Sequence, residues 1–258
     1  MRLPSLPGEV VDFGEASFRR FLEIEGTMHA TVLAAQAFTS LIPFIVVASA
    51  FGPGEGDIGD RIVDRFDLSG SAARSVRQLF NDAGQVESAV TWVSAIILVL
   101  SALSFARALQ RMYQRAYGTG PGSWRARWRG LAWLGAFAVF LVVSSPLKNS
   151  LSEVGGVVFA LALSIATGFA IWLLTPSILL DSIGWRHLLP GAVISAVLGA
   201  LLAAASGIYV PVLMTWSADR YGLIGVAFTI QSWLLASAFV VVVGAVIGAV
   251  ASEKLVTA

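Results

Sequence analysis

Polar positions along this chain come in clusters, and the stretches between them are almost purely apolar. Asp, Glu, Lys and Arg are absent from six long windows: Thr31–Phe51, Ser88–Ala106, Gly130–Leu147, Val154–Leu180, Leu188–Ala218 and Tyr221–Ser252. A helix needs ~20 predominantly apolar residues to cross ~30 Å of hydrocarbon at ~1.5 Å per residue. These runs are continuous, unlike the short alternating segments of a barrel strand, and a helix pairs its own backbone polar groups inside lipid. The pattern predicts an all-α, polytopic membrane protein. It forms a single helical membrane domain over 1–258, with about six transmembrane helices at roughly 31–51, 88–106, 130–147, 154–180, 188–213 and 223–250. The last two windows exceed a bilayer span, so tilt, a kink or interfacial turns are expected to absorb the excess.

Two polar stretches carry a helical period of their own. In residues 14–25, Phe18, Phe21, Leu22 and Glu25 share one face beside Arg19 and Arg20, which predicts an interfacial helix leading into the first span. Between Gly52 and Glu87, Ile58, Ile62, Val63 and Phe66 form one stripe, and Val76, Leu79, Phe80 and Ala83 form another. Ser69 or Ser71 is the candidate cap of the second helix. Two short amphipathic helices over the outer end of the bundle are expected, with packing favoured over a gating lid.

Composition agrees with lipid as part of the solvent. Of 258 residues, 57% are hydrophobic and 13% charged, half the share usual in soluble domains. Mean hydropathy is +0.79. Cysteine is absent, so thiolate, disulfide and iron–sulfur chemistry are excluded. The stretch Met1–Phe13 has no apolar core, so no cleaved signal peptide is expected. Basic residues set the orientation. Arg107, Arg111, Arg115, Arg125, Arg127 and Arg129 crowd one connection with no acid among them, and Arg2, Arg19, Arg20, Arg186 and Lys254 fall on the same side. Both termini are therefore expected in the cytoplasm.

Several motifs follow one another in an order that resembles a known family. Span one contains Ala35-Gln36-Ala37-Phe38-Thr39-Ser40-Leu41-Ile42-Pro43. Span two ends in Ala102-Leu103-Ser104-Phe105-Ala106-Arg107-Ala108-Leu109-Gln110-Arg111-Met112-Tyr113, before a loop rich in Arg and Trp. Pro176, Trp185 and Leu189-Pro190-Gly191-Ala192 precede or open span five, and Tyr221-Gly222 is followed by Gln231-Ser232-Trp233. This ordered set resembles the YihY/BrkB family of bacterial inner-membrane proteins. The resemblance implies six spans, the inner membrane and no settled activity; virulence factor, ribonuclease BN and transporter are names attached to members.

The residues themselves choose among those names. A ribonuclease needs a metal or a general acid–base pair. The chain has two histidines, His29 and His187, in no metal-binding spacing, and no phosphate-cradling glycine loop. An enzyme is not expected, nor a metal, a cofactor or a specific nucleic acid. Polar residues inside spans mark paths and binding sites. The substrate-cavity candidates are Gln36, Thr39, Ser40, Pro43, Ser104, Tyr209 and Gln231, with Pro43, Pro146, Pro176 and Pro211 as helix breakers that free carbonyls. Interhelical hydrogen bonding is the plainer account of each Ser or Thr. Arg107, Arg111, Arg115, Arg125, Arg127 and Arg129 are candidates for anionic lipid headgroups, against plain positive-inside topology. Gly191, Ser195, Gly199, Ala203 and Gly207 repeat every four residues, and Gly244 and Gly248 form a GxxxG pair. Internal seams are favoured over a homo-oligomer contact. The leading expectation is a transporter or handler of a lipid or amphiphilic solute; the alternative is a non-transporting structural or partner-binding membrane subunit.

Overall fold

A computed structural model of the chain describes residues 8–51, 58–65, 67–81, 88–120, 128–137, 139–140, 166–180 and 183–257; these are helices and short turns, with no strand among them. The helices are α1 (Gly8–Glu23), α2 (Gly26–Phe51), α3 (Ile58–Arg65), α4 (Gly70–Asn81), α5 (Ser88–Ala116), α6 (Ala166–Leu179), α7 (Trp185–Tyr221) and α8 (Leu223–Thr257), with a further helical stretch at 128–137. The all-helical expectation holds. Among the described residues, Trp92–Ala116, Trp185–Tyr221 and Leu223–Lys254 are long and apolar enough to cross a membrane. The 26-residue α2 carries no Asp, Glu, Lys or Arg. Residues 138 and 141–147 of the expected span 130–147, Pro146 among them, and residues 154–165 of the expected span 154–180 lie outside the described residues.

The chain divides into two compact units: Met1–Ala30 with Ala106–Ala200 and Phe239–Ala258, and Thr31–Phe105 with Leu201–Ala238. No linker separates them in sequence, because α2, α5, α7 and α8 each supply residues to both. In their most apolar windows 44% of α8 is buried but only 22% of α5 and of α7, so the latter two turn most of their apolar surface outward. On α5, Trp92, Val93, Ile96, Ile97, Val99 and Leu100 make one exposed face. Water would penalise such a patch, and lipid does not.

In the first unit, α1 begins at Gly8, earlier than its stripe suggests. It is fastened to α8 by Arg20–Glu253 at 2.5 Å, by Lys254 over the Phe13 ring and by Phe21 stacked on Phe239. Phe18 and Leu22 stay exposed. Glu25 does not extend the stripe. It occupies the turn into α2 at φ 56°, with its N–H donating to the Leu22 carbonyl. The small residues of α7 and α8 make a seam: a Cβ added to Gly248 would lie 2.7 Å from the Gly191 nitrogen, and one on Gly244 would lie 3.0 Å from Ser195 Cβ. The same stripe then diverges. Gly199 faces Trp172 of α6, and a Cβ on Gly207 would meet nothing within 4 Å.

In the second unit, Val63 and Leu68 together with Ala72, Ala73 and Val76 of α4 are buried against Val210, Met214 and Ala218 of α7 and Val226 of α8. The α3–α4 hairpin is thus part of a packed core. Asp67 closes α3 at φ 48°, where the Leu68 N–H reaches back to the Val63 carbonyl. Ser71 is not a cap: its hydroxyl lies within α4 and donates to Asp219 of α7. The Ser69 carbonyl accepts from the Ala73 N–H at the helix start. Arg77 holds Asp60 at 2.6 Å across the hairpin. Pro43 and Pro211 do not end their helices, which run on through both. Each lacks the N–H that the carbonyl four residues earlier, of Thr39 or Gly207, would have accepted from. A single residue, Gly222 at φ 58°, separates α7 from α8, and Gly225 lies so close to Ser217 that a Cβ there would sit 2.6 Å from its carbonyl carbon.

Candidate functional site

The seven cavity candidates all fall in the second unit, on four helices. Gln36, Thr39, Ser40 and Pro43 belong to α2, Ser104 to α5, Tyr209 to α7 and Gln231 to α8. Their hydroxyls are largely spent within their own helices. Thr39 donates to the Ala35 carbonyl at 2.8 Å, Ser40 to Ala37 at 2.8 Å and Gln36 at 3.0 Å, and Ser104 to Leu100 at 2.9 Å. Back-bonding of this kind is how a hydroxyl is satisfied in an apolar helix. Pro43 is buried, and Tyr209 points outward.

The two amides differ from the hydroxyls. Gln36 Oε1 and Gln231 Oε1 are both buried with no hydrogen-bond partner. An acceptor desolvated without a donor is disfavoured by roughly 1–3 kcal/mol, so each carbonyl is a place where a hydroxyl, an ammonium or a water gains most. Beside Gln231, the Trp233 indole donates to Ser206 Oγ at 2.8 Å, which fixes the level of α8 against α7. The Thr229 hydroxyl, a turn earlier, donates to the Gly225 carbonyl and is closed to a ligand.

The arginine candidates belong to the first unit. Arg107, Arg111 and Arg115 stand on one exposed face of α5, while Ala106, Leu109, Met112, Tyr113 and Ala116 bury the opposite face. That division fixes where the guanidinium row points. The helix closes just beyond it: the Gly118 N–H donates to the Arg115 carbonyl and the Thr119 N–H to the Gln114 carbonyl, with Gly118 at φ 65°. Arg129 is half-buried and Trp128 exposed; Arg125 and Arg127 lie outside the described residues.

Spacing alone did not single out His29. It sits on the first turn of α2 with Nε2 buried and unpartnered. Burial first, then the charges of Arg115 and Arg111, hold its pKa below the ordinary 6.5, with Glu25 opposing them. Imidazole and guanidinium row are therefore electrostatic neighbours. An open groove of about 540 Å³ lies between α1 and α8, lined by Asp12, Glu15, Arg19, Arg20, Glu23 and Glu253 among others. Among the described residues no three His, Asp or Glu side chains gather as metal ligands.

The family model for virulence factor BrkB matches residues 17–258. The chain belongs to the virulence factor BrkB family. No curated protein and no solved structure matches it. Several residues that carry the BrkB likeness have identifiable physical work in the fold. Gly191 is where the backbone of α7 lies directly against that of α8 at Gly248, and Gly222 supplies the left-handed turn between them. Tyr113 is buried on the inner face of α5, and Gln110 Nε2 donates to the Leu179 carbonyl at 3.0 Å. Gln36 and Gln231, from the first and last BrkB motifs, are the two that leave a buried acceptor open.

Proposed function

We propose that this BrkB-family protein is a bacterial inner-membrane protein, with both termini cytoplasmic, that transports a lipid or another amphiphile. The observation that carries the reading is the pair of buried, unpartnered amide oxygens of Gln36 and Gln231 in one compact unit. Packing gains nothing from an open acceptor, and a hydrophobic residue would serve it better. A ligand with a hydroxyl or ammonium head and an apolar body would satisfy the oxygens while its tails remain in lipid.

The test joins transport to stability. The purified chain is reconstituted into phosphatidylcholine vesicles carrying a fluorescent-headgroup phospholipid, and lipid movement between leaflets is followed by quenching of the outer leaflet. Gln36→Leu and Gln231→Leu should each slow movement. Each should also leave stability unchanged or raise it by up to about 1–3 kcal/mol, because the unsatisfied acceptor is gone. Movement no faster than in protein-free vesicles, or indifferent to both substitutions, would reject the transporter and leave the partner-binding membrane subunit as the better account.

A further inference from the structure

We infer that the Arg107–Arg111–Arg115 row on α5 seats the phosphate of an anionic phospholipid, and that Glu25 is an internal carboxylate which the phosphate supplants at Arg115. The inference concerns different residues from the Gln36 and Gln231 reading and stands or falls apart from it.

The first support is a contrast among the arginines. Arg19, Arg20 and Arg77 each hold a carboxylate at 2.8, 2.5 and 2.6 Å. Arg115 meets Glu25 only at 3.8 Å, with both side chains more than half exposed. Arg107 and Arg111 hold no carboxylate among the described residues. Arg74, Arg186 and Arg220 hold none among those residues either, but they stand apart, on α4 and at the two ends of α7, whereas Arg107, Arg111 and Arg115 share one exposed face of one helix and are left available together. The second support is position. Arg107 follows directly on the charge-free run Ser88–Ala106, in which Trp92, Val93, Ile96, Ile97, Val99 and Leu100 expose an apolar face, in the same unbroken helix. A lipid whose tails lie along that face would bring its phosphate to the row. Successive arginines are four residues and about 6 Å apart along the axis, within reach of a single headgroup, and the guanidinium fork matches phosphate oxygens. The buried opposite face of α5 holds the row in place.

Full-length protein in zwitterionic detergent is titrated with phosphatidylglycerol or phosphatidylcholine, and retained lipid is counted by native mass spectrometry. The row should retain phosphatidylglycerol preferentially. Arg111→Gln should weaken retention about fivefold, the equivalent of one basic residue near an anionic headgroup. Glu25→Gln should tighten it, since Arg115 loses its competing carboxylate. Arg186→Gln, which removes a charge stacked on Trp185 outside the row, should leave it unchanged. A second readout is spectroscopic. Phosphate at Arg111 and Arg115 cancels part of the field that depresses His29, so its imidazole pKa should rise when phosphatidylglycerol replaces phosphatidylcholine in nanodiscs, and should rise less in Arg111→Gln. Equal retention of the two lipids, an Arg111→Gln effect no larger than that of Arg186→Gln, no gain from Glu25→Gln, or a His29 shift that Arg111→Gln leaves undiminished would each overturn the inference. Displacement of the lipid by equimolar inorganic phosphate or by a short single-stranded RNA would overturn it too, since neither uses the apolar face.

Discussion

The α7–α8 seam permits a paired perturbation in which the same atom is added at two glycines with opposite expected signs. At Gly248, a new Cβ would lie 2.7 Å from the Gly191 nitrogen and 3.1 Å from Tyr117 Oη. The closer neighbour is backbone and cannot rotate away, so the two helices must separate. Overpacking of this kind costs typically 1–3 kcal/mol, and a rigid neighbour argues for the upper end, about 3 kcal/mol. Exchanging glycine for alanine within a helix returns roughly 0.5–1 kcal/mol. The net expectation for Gly248→Ala is a loss of about 2 kcal/mol. At Gly207 a Cβ would meet nothing within 4 Å, so only the propensity term remains and Gly207→Ala should gain roughly 0.5–1 kcal/mol.

The measurement is equilibrium unfolding of the two variants and the parent in mixed micelles titrated with a denaturing detergent, followed by tryptophan fluorescence. The difference between variants should be about 3 kcal/mol. Gly191→Ala should cost less than Gly248→Ala, because its Cβ would lie 2.6 Å from Tyr117 Oη, the end of a side chain that can shift, and at an ordinary 3.4 Å from Gly248 Cα. Equal effects at Gly207 and Gly248 would refute the seam and the reasoning with it, because sequence treats both glycines alike.

Two further outcomes follow from the same kind of accounting. His29 has its pKa depressed in the fold, by burial and by Arg115 and Arg111 against Glu25, so below about pH 6.5 the unfolded chain binds a proton that the folded chain refuses. Stability should fall as pH drops below 6.5 and be unaffected by this group above it; His29→Gln should flatten that part of a melting-temperature profile, and an unchanged profile would refute it. Val76 is fully buried in the α3–α4 core, so Val76→Ala should cost about 2 kcal/mol and raise amide exchange across α4 and Leu68, whereas exchange rising first in α1 would contradict the packing.

How much of this was legible in sequence depends on the signal each feature leaves. The long apolar helices declared themselves by length and lack of charge, and the amphipathic α3 and α4 by period, with Val63 and Val76 on the inner side as their stripes require. The guanidinium row was legible because four-residue spacing on a helix fixes a face. The partition of the glycine stripe was not. A helix apolar on every side carries no amphipathic signal, so nothing in Gly191, Ser195, Gly199 and Gly207 tells which meet α8 and which meet nothing. Ser71 bonding to Asp219 was hidden for another reason: a helix-start serine reads as a cap unless a carboxylate 148 residues away is known to arrive. The open acceptors of Gln36 and Gln231 and the buried Nε2 of His29 express what the surroundings lack, and a linear pattern cannot register that.

Helix length carries the argument to the depth of Gln231. The 37 residues of α7 extend about 55 Å, some 25 Å more than hydrocarbon requires. Its surplus lies at the end from Val210 to Ala218, where it packs against a hairpin bearing the Asp60–Arg77 ion pair, a charged surface that belongs outside lipid. The crossing portion is therefore expected to run from near Trp185 to near Tyr209, both exposed and about 36 Å apart along the helix, as aromatic residues at two membrane borders would be. On α8, Trp233 is held at the level of Ser206 by its indole N–H. Gln231 lies two residues nearer the Gly222 turn, about 3 Å, which brings it level with Ile208, next to Tyr209. Its open carbonyl is then expected at headgroup depth, where lipid hydroxyls and ammonium groups are found and the acyl interior offers no donor. A spin label or a fluorescent probe at position 231 that reported mid-bilayer depth in a parallax measurement would break this chain of reasoning at its last link.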